Sequence, residues 1–221
     1  MIKNIVFAPH PDDEVIGCGG AILNATRRGE SVDVITLGAR LSCPLESDLT
    51  DEDYLRETQE AHTALGVTRH VALQIAPRTL ELSRDLTLAL VKELRTSRPQ
   101  VVFLPHAGEA DLEHQTTSRA ATEALWMAQS PYFPELGAPI AAPDLVLGYE
   151  VWTPLSRYQL SVDISETIEQ KKAAIRCYRS QARHGDWVGA IEGLARYRGV
   201  TSGVGKFAEV FEVVSLARLP Q

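Results

Sequence analysis

Ile5-Val6-Phe7-Ala8-Pro9-His10-Pro11-Asp12-Asp13-Glu14-Val15-Ile16-Gly17-Cys18 decides how this chain is read. The stretch opens on an almost wholly apolar run, the pattern of a strand buried on both faces. One imidazole and three carboxylates follow at that strand's carboxyl end, where open α/β sheets bind ligands. A His and Asp pair offers a metal one neutral nitrogen and one anionic oxygen, and a neighbouring carboxylate stays free as a base. A solvated acidic loop with Asp12 or Asp13 as N-cap explains less. Capping needs one acid and accounts for neither His10 nor the two prolines.

Working outward, Gly17–Arg28 reads as a helix stopped by Gly29, and Ser31–Leu37 as a β-branched strand. A polar loop over 38–53 leads to a helix from Tyr54 to Leu65 and a strand from Val71 to Ile75. Asp85–Ser97 is helical, Val101–Leu104 is a fourth strand ending at Pro105-His106, and His114–Met127 is another helix. Leu145–Val151 begins the last part, which continues in a helix from about Ser165 to Arg183 and closes with a strand from Ala208 to Val213. Strand and helix in steady alternation specify an α/β fold, a Rossmann-like three-layer sandwich with a mostly parallel sheet and helices on both faces. No repeat, low-complexity tract or linker divides the chain, so one domain over 1–221 is expected.

The 221 residues suffice for one sizeable core. No apolar run approaches the roughly 18 to 20 residues that span a bilayer, so no membrane span is expected. The start, Met1-Ile2-Lys3-Asn4, enters a strand directly and leaves no room for a signal peptide. An odd set of three cysteines without close pairing suggests reduced thiols and a cytoplasmic setting. A net charge of −7 argues against a nucleic-acid partner, whose binders carry a basic face. Helical layers leave room for a homo-oligomer.

Several segments in order resemble one family. His10-Pro11-Asp12-Asp13-Glu14 after a first strand looks like the signature of the LmbE-like, or PIG-L, zinc-dependent N-acetylglucosamine deacetylases. Leu55–Ala61 with Leu65-Gly66-Val67, Tyr149–Pro154, Val162-Asp163-Ile164, Lys171 with Ser180-Gln181, and Arg198-Gly199 before Ala208–Phe211 are similar to further family segments. The resemblance implies a zinc site with three protein ligands and a fourth position for water. His10 and Asp13 supply two ligands. Asp111-Leu112-Glu113-His114 matches the family's His-Pro-Asp-His, which makes His114 the third; Fe2+ could occupy the same ligands. Asp12 is then the general base, taking a proton as metal-bound water attacks an amide carbon.

The remaining site residues keep more than one reading. Glu14 either anchors Asp12 or His10, or merely favours a helix N-terminus. Asp111 departs from the family, whose histidine at this place assists the oxyanion or proton transfer. Either His106 supplies that imidazole instead, or Asp111 orients His114. Arg56 stands where the family binds a substrate hydroxyl or phosphate-bearing group; its alternative is a surface pair with Glu60. Arg198 and Glu209 close the cleft or order each other. Tyr149, Trp152 and Tyr158 form either an aromatic wall for a sugar or part of the core. Gly17, Gly19 and Gly20 lack dinucleotide spacing and point to close helix packing. Cys18, Cys43 and Cys177 form no CxxC pair, and His184 reads as a surface-loop residue.

The implied function is zinc-dependent hydrolysis of the N-acetyl amide of an N-acetylglucosamine-containing small molecule. The alternatives are an amidase for a larger N-acyl or thiol-conjugate substrate, and a non-catalytic metal- or sugar-binding relative.

Overall fold

The computed structural model describes residues 1–38 and 49–218; Cys43 and most of the expected 38–53 loop lie outside them. Strand β1 (Lys3–Ala8) is buried from Asn4 onward, as its apolar run requires. It leads through residues 9–12 into helix α1 (Asp13–Arg27). Then come β2 (Ser31–Gly38), α2 (Asp51–Leu65), β3 (Arg69–Ile75), α3 (Arg84–Ser97), β4 (Val101–Pro105) and α4 (Leu112–Ala128). The chain ends with β5 (Leu145–Tyr149), β6 (Leu160–Asp163), α5 (Ile168–Ile175), α6 (Arg179–Ala182), α7 (Trp187–Ser202) and β7 (Ala208–Leu216).

Among the described residues the strands form one seven-stranded sheet in the order β3-β2-β1-β4-β5-β7-β6. The first five are parallel, and β7 runs antiparallel to both β5 and β6. Alternate residues of β1 divide between two cores. Val6 and Ala8 pack with residues of α1, α2, α5 and α7, while Ile5 and Phe7 pack with α3 and α4. Strand order reverses at β1, which pairs with β2 on one side and β4 on the other. The crevice at the carboxyl ends of β1 and β4 is therefore the topological switch point.

Several elements differ from the sequence reading, strand β6 among them. Helix α1 starts at Asp13, four residues early, and kinks at Cys18 (φ −143°, ψ 19°). The kink separates Gly20 N–H from Ile16 C=O, partners in an unbroken helix. Lys171 and Glu209 fill the gap. The Lys171 ammonium donates to Ile16 O (2.8 Å), and Glu209 accepts from Gly20 N and Ala21 N (both 2.8 Å). The two side chains also bond each other at 2.6 Å. Close approach demands the glycines here: a Cβ on Gly17 would overlap the Tyr149 ring, and one on Gly20 the Ile164 side chain.

Helix α2 begins at Asp51 because Thr50 and Asp53 form a reciprocal capping box. The long helix expected over 165–183 is two short ones, and α7 follows where no helix was expected. Three internal glycines, Gly189, Gly193 and Gly199, mask α7 in the sequence. Gly199 is required by packing, since a Cβ there would come 2.6 Å from Lys206 O. No helix among the described residues is long and apolar enough to cross a membrane.

Candidate active site

The loops after β1 and β4 bring His10, Asp13 and His114 together, all buried. Asp13 stands between the imidazoles, its Oδ2 3.3 Å from His10 Nδ1 and 3.3 Å from His114 Nε2. The backbone N–H of His10 donates to the same oxygen (2.8 Å), which ties the loop to its own carboxylate. One donor atom from each of the three lies within 4.8 Å of the others, so the group could hold a metal ion. The donor chemistry fits. His114 is fully buried, yet neither ring nitrogen makes a hydrogen bond, and a buried polar atom without a partner is costly. Two nitrogens and one carboxylate oxygen form a set that suits zinc or ferrous iron.

Each imidazole has a glutamate behind it. His10 Nε2 contacts Glu113 Oε2 at 2.7 Å, and Glu113 also accepts from Leu80 N. His114 Nδ1 faces Glu109 Oε2 at 3.6 Å. Carboxylates in this position fix the ring orientation of metal-binding histidines. Neither glutamate was singled out from the sequence. That each flanks His114 inside the β4–α4 stretch was the available signal. Glu109 also gathers backbone donors, accepting from Val151 N (2.7 Å), Trp152 N (3.0 Å) and Thr153 N (3.3 Å).

Asp12 precedes α1 with φ 102°, a strained left-handed conformation for a residue with a side chain. Its carboxylate makes no cap hydrogen bond; it accepts instead from the Gln181 amide, across 169 residues of chain. The capping reading thus fails for Asp12. Glu14 is wholly buried, and its carboxylate takes Asp12 N (3.2 Å), His62 Nε2 (3.2 Å) and the Tyr178 hydroxyl (2.8 Å). It anchors the backbone of Asp12.

Charge is unbalanced here. Burial raises the Asp12 pKa well above the usual carboxylate range, and the charges of Asp13 and Glu14 push it further. Burial alone would lower His10, but hydrogen bonds to Asp13 and Glu113 outweigh it and raise the pKa from 6.5 to about 10. His114 is raised in the same way: the Asp13 charge and the Glu109 carboxylate overcome burial. Burial would raise Glu109, but bonds to His106 and the Val151 backbone, with the nearby His114 ring, outweigh it and bring the pKa down to about 2. The carboxylates thus attract positive charge, in the form of protons or of a cation.

The other expected site residues sit as follows. Asp111 caps α4, accepting from Glu113 N (2.8 Å), and pairs with Arg78 at 2.5 Å; Glu109, not Asp111, is the carboxylate behind His114. His106 is no substitute imidazole: its Nε2 donates to Thr153 O (2.7 Å) and its Nδ1 accepts from Gly108 N (3.2 Å). Arg56 pairs with Asp53 on the surface of α2, while Glu60 goes to Arg179. Its described contacts do not reach the metal-binding group. Arg198 and Glu209 do not order each other. Arg198 pairs with Glu150 and bonds Leu155 O (2.8 Å), and Glu209 belongs to the α1 kink. Tyr149 is buried with its hydroxyl on Phe7 O (2.7 Å), whereas Trp152 is exposed.

The family model for PIG-L, described as GlcNAc-PI de-N-acetylase, matches residues 5–125, more than half of the chain. The chain belongs to the PIG-L family. The crystal structure of the conserved protein TT1542 from Thermus thermophilus superposes with a TM-score of 0.88 at 31% identity, covering 100% of this chain and 98% of that one. The N,N'-diacetylchitobiose deacetylase from Pyrococcus horikoshii, in complex with its inhibitor MPG, gives a TM-score of 0.84 at 26% identity, over 96% and 83% of the two chains. The diacetylchitobiose deacetylase of Thermococcus kodakarensis is 27% identical over 222 residues, spanning 91% of this chain and 79% of that protein. The reaction class of this PIG-L chain is hydrolytic N-deacetylation.

Proposed function

We propose that the chain hydrolyses the N-acetyl amide of an N-acetylglucosamine-containing small molecule with a zinc ion held by His10, Asp13 and His114. The observation that carries this is the convergence of three buried donors on one place, with both nitrogens of His114 lacking a hydrogen-bond partner. Bound there, zinc would acidify a water and polarise the amide carbonyl. Asp12, beside the group and not part of it, is the general base. Burial and its acidic neighbours raise its proton affinity, so it can take a proton from the attacking water and return it to the leaving amine. Gln181 holds the Asp12 carboxylate in place, and Glu14 holds its backbone. Glu113 and Glu109 keep the two imidazoles aimed inward. The amino-sugar substrate rests on the relatives whose names give diacetylchitobiose as theirs.

The test is primary-amine release from a panel of N-acetylglucosamine derivatives, using zinc-reconstituted protein. Release that a chelator abolishes is expected for at least one member. No release across the panel with zinc bound would transfer the site to a larger N-acyl substrate or to binding alone.

A further inference from the structure

Asp12 is held through one short piece of chain. Its carboxylate accepts from the Gln181 amide, and its backbone N–H donates to Glu14, whose other oxygen takes the Tyr178 hydroxyl at 2.8 Å. Tyr178 and Gln181 bracket Arg179 and Ser180, so both holds come from the segment that forms α6. A helix of 4 residues has too few internal hydrogen bonds to fix its own position, and α6 has no side-chain cap. A group outside α6 must therefore set where Gln181 stands.

That group is Glu57 on α2. Its buried carboxylate accepts from Ser180 N (3.1 Å) and from Ser180 Oγ (2.6 Å). One turn further along α2, Glu60 takes Arg179 Nη1 at 2.8 Å. The Arg179 guanidinium stands 3.8 Å from Glu57 and is itself more than half exposed, so it offsets little of the cost of burying that carboxylate. An apolar side chain at 57 would pack against α6 without that cost, but it would let the short helix turn and slide. Hydrogen bonds to one amide and one hydroxyl are directional and hold a single rotation. Arg56, the neighbour that the family resemblance singles out, is meanwhile paired with Asp53 on the surface.

We infer that Glu57 is a positioning residue for the hydrolysis: by fixing the rotation of α6 through Ser180, it keeps the Gln181 amide on the Asp12 carboxylate. Its effect on rate rests on the reading of Asp12 as general base; its effect on Gln181 rests on the hydrogen bonds alone. A base must stand within hydrogen-bond reach of the proton it takes, and small misplacements of such a group are expensive in rate.

The experiment uses full-length, zinc-loaded protein and two substitutions. Glu57→Met keeps the bulk of the side chain and removes both acceptors. Glu57→Gln keeps an acceptor for Ser180 N and presents a donor to Ser180 Oγ. For the N-acetylglucosamine derivative that the wild-type protein cleaves fastest, Glu57→Met should lower kcat about 10- to 100-fold with KM changed less than about threefold. Glu57→Gln should restore most of the loss. In protein already carrying Gln181→Ala, Glu57→Met should lower kcat no further. Independently, the side-chain amide resonance of Gln181 in isotope-labelled protein, identified by its loss in Gln181→Ala and its response to Asp12→Asn, should shift in Glu57→Met and return in Glu57→Gln. If Glu57→Met does not fold, Ser180→Ala removes one of the two bonds and should move both readouts in the same direction by less. An unmoved resonance, or an equal fall in kcat with and without Gln181, overturns the inference. Failure of the wild-type protein to release amine from any derivative would remove the deacetylase reading, while the resonance still decides whether Glu57 sets Gln181.

Discussion

Two clusters of buried charged side chains in this molecule are balanced differently. At the carboxyl ends of β1 and β4, Asp12, Asp13, Glu14, Glu109 and Glu113 surround His10 and His114, with acids in excess. Behind them, under α7, every buried acid has its own base: Lys171 with Glu209, and Arg198 with Glu150. A cation from outside would complete the first cluster. The second is complete as folded, and its task is to hold a kinked helix and the loop after β5. Excess charge in one buried place, beside one-to-one pairing in another, separates a site from its support.

The comparison breaks most plainly at His114. His114→Ala should abolish stoichiometric zinc, read by metal analysis after dialysis; an unchanged zinc content would mean the cluster does not take the metal. Asp12→Asn should keep zinc and cut kcat by about 10²- to 10⁴-fold. Joint loss of metal and rate would instead make Asp12 a ligand. In the support, Glu209→Gln leaves the buried Lys171 charge unpaired and replaces one of the two oxygens that accept from Gly20 N and Ala21 N with a donor, and should cost about 3–5 kcal/mol in urea unfolding. Zinc stoichiometry of the folded fraction should be retained. Glu113→Gln lies between the two cases: it keeps the shape and removes the charge behind His10, so zinc affinity should weaken about 10- to 100-fold by competitive chelation.

The smallest effect concerns an imidazole belonging to neither group. His70 is driven down from 6.5 to about 4, first by burial and then by the neighbouring His62. Between those values the unfolded chain binds a proton at this residue and the folded chain does not. Stability should therefore be intact above pH 6.5 and fall as pH drops toward 4. A His70→Gln variant should flatten that part of the Tm-against-pH curve. A curve of unchanged slope would show that His70 is already charged in the fold.

The first half of the molecule was legible because its signals are local. Apolar strands, stop glycines and a dense motif at a strand end each speak within a few residues, and His10, Asp13 and His114 meet at the switch point that alternating strands and helices imply. What stayed hidden depends on distant partners. Glu109 and Glu113 are ordinary acids until the fold sets them behind two histidines. Asp111 reads as a lost catalytic imidazole, yet it caps a helix and meets Arg78, whose backbone at φ 63° no sequence pattern announces. Arg198 and Glu209 stand in late segments similar to the family's and read as closing the cleft or ordering each other, while each pairs with a residue far from it. Helix α7 escaped notice because its glycines serve packing at the cost of helix propensity.

The kink in α1 bears on the order in which the chain can assemble. Gly20 and Ala21 belong to α1, and the carboxylate they require belongs to β7, 189 residues later in the case of Gly20. Everything between must be made before that helix can close. A ribosome-bound chain lacking β7 therefore carries an incomplete first helix and, with it, a loose loop over 10–13. Metal capture at the proposed site would consequently wait until β7 is in place.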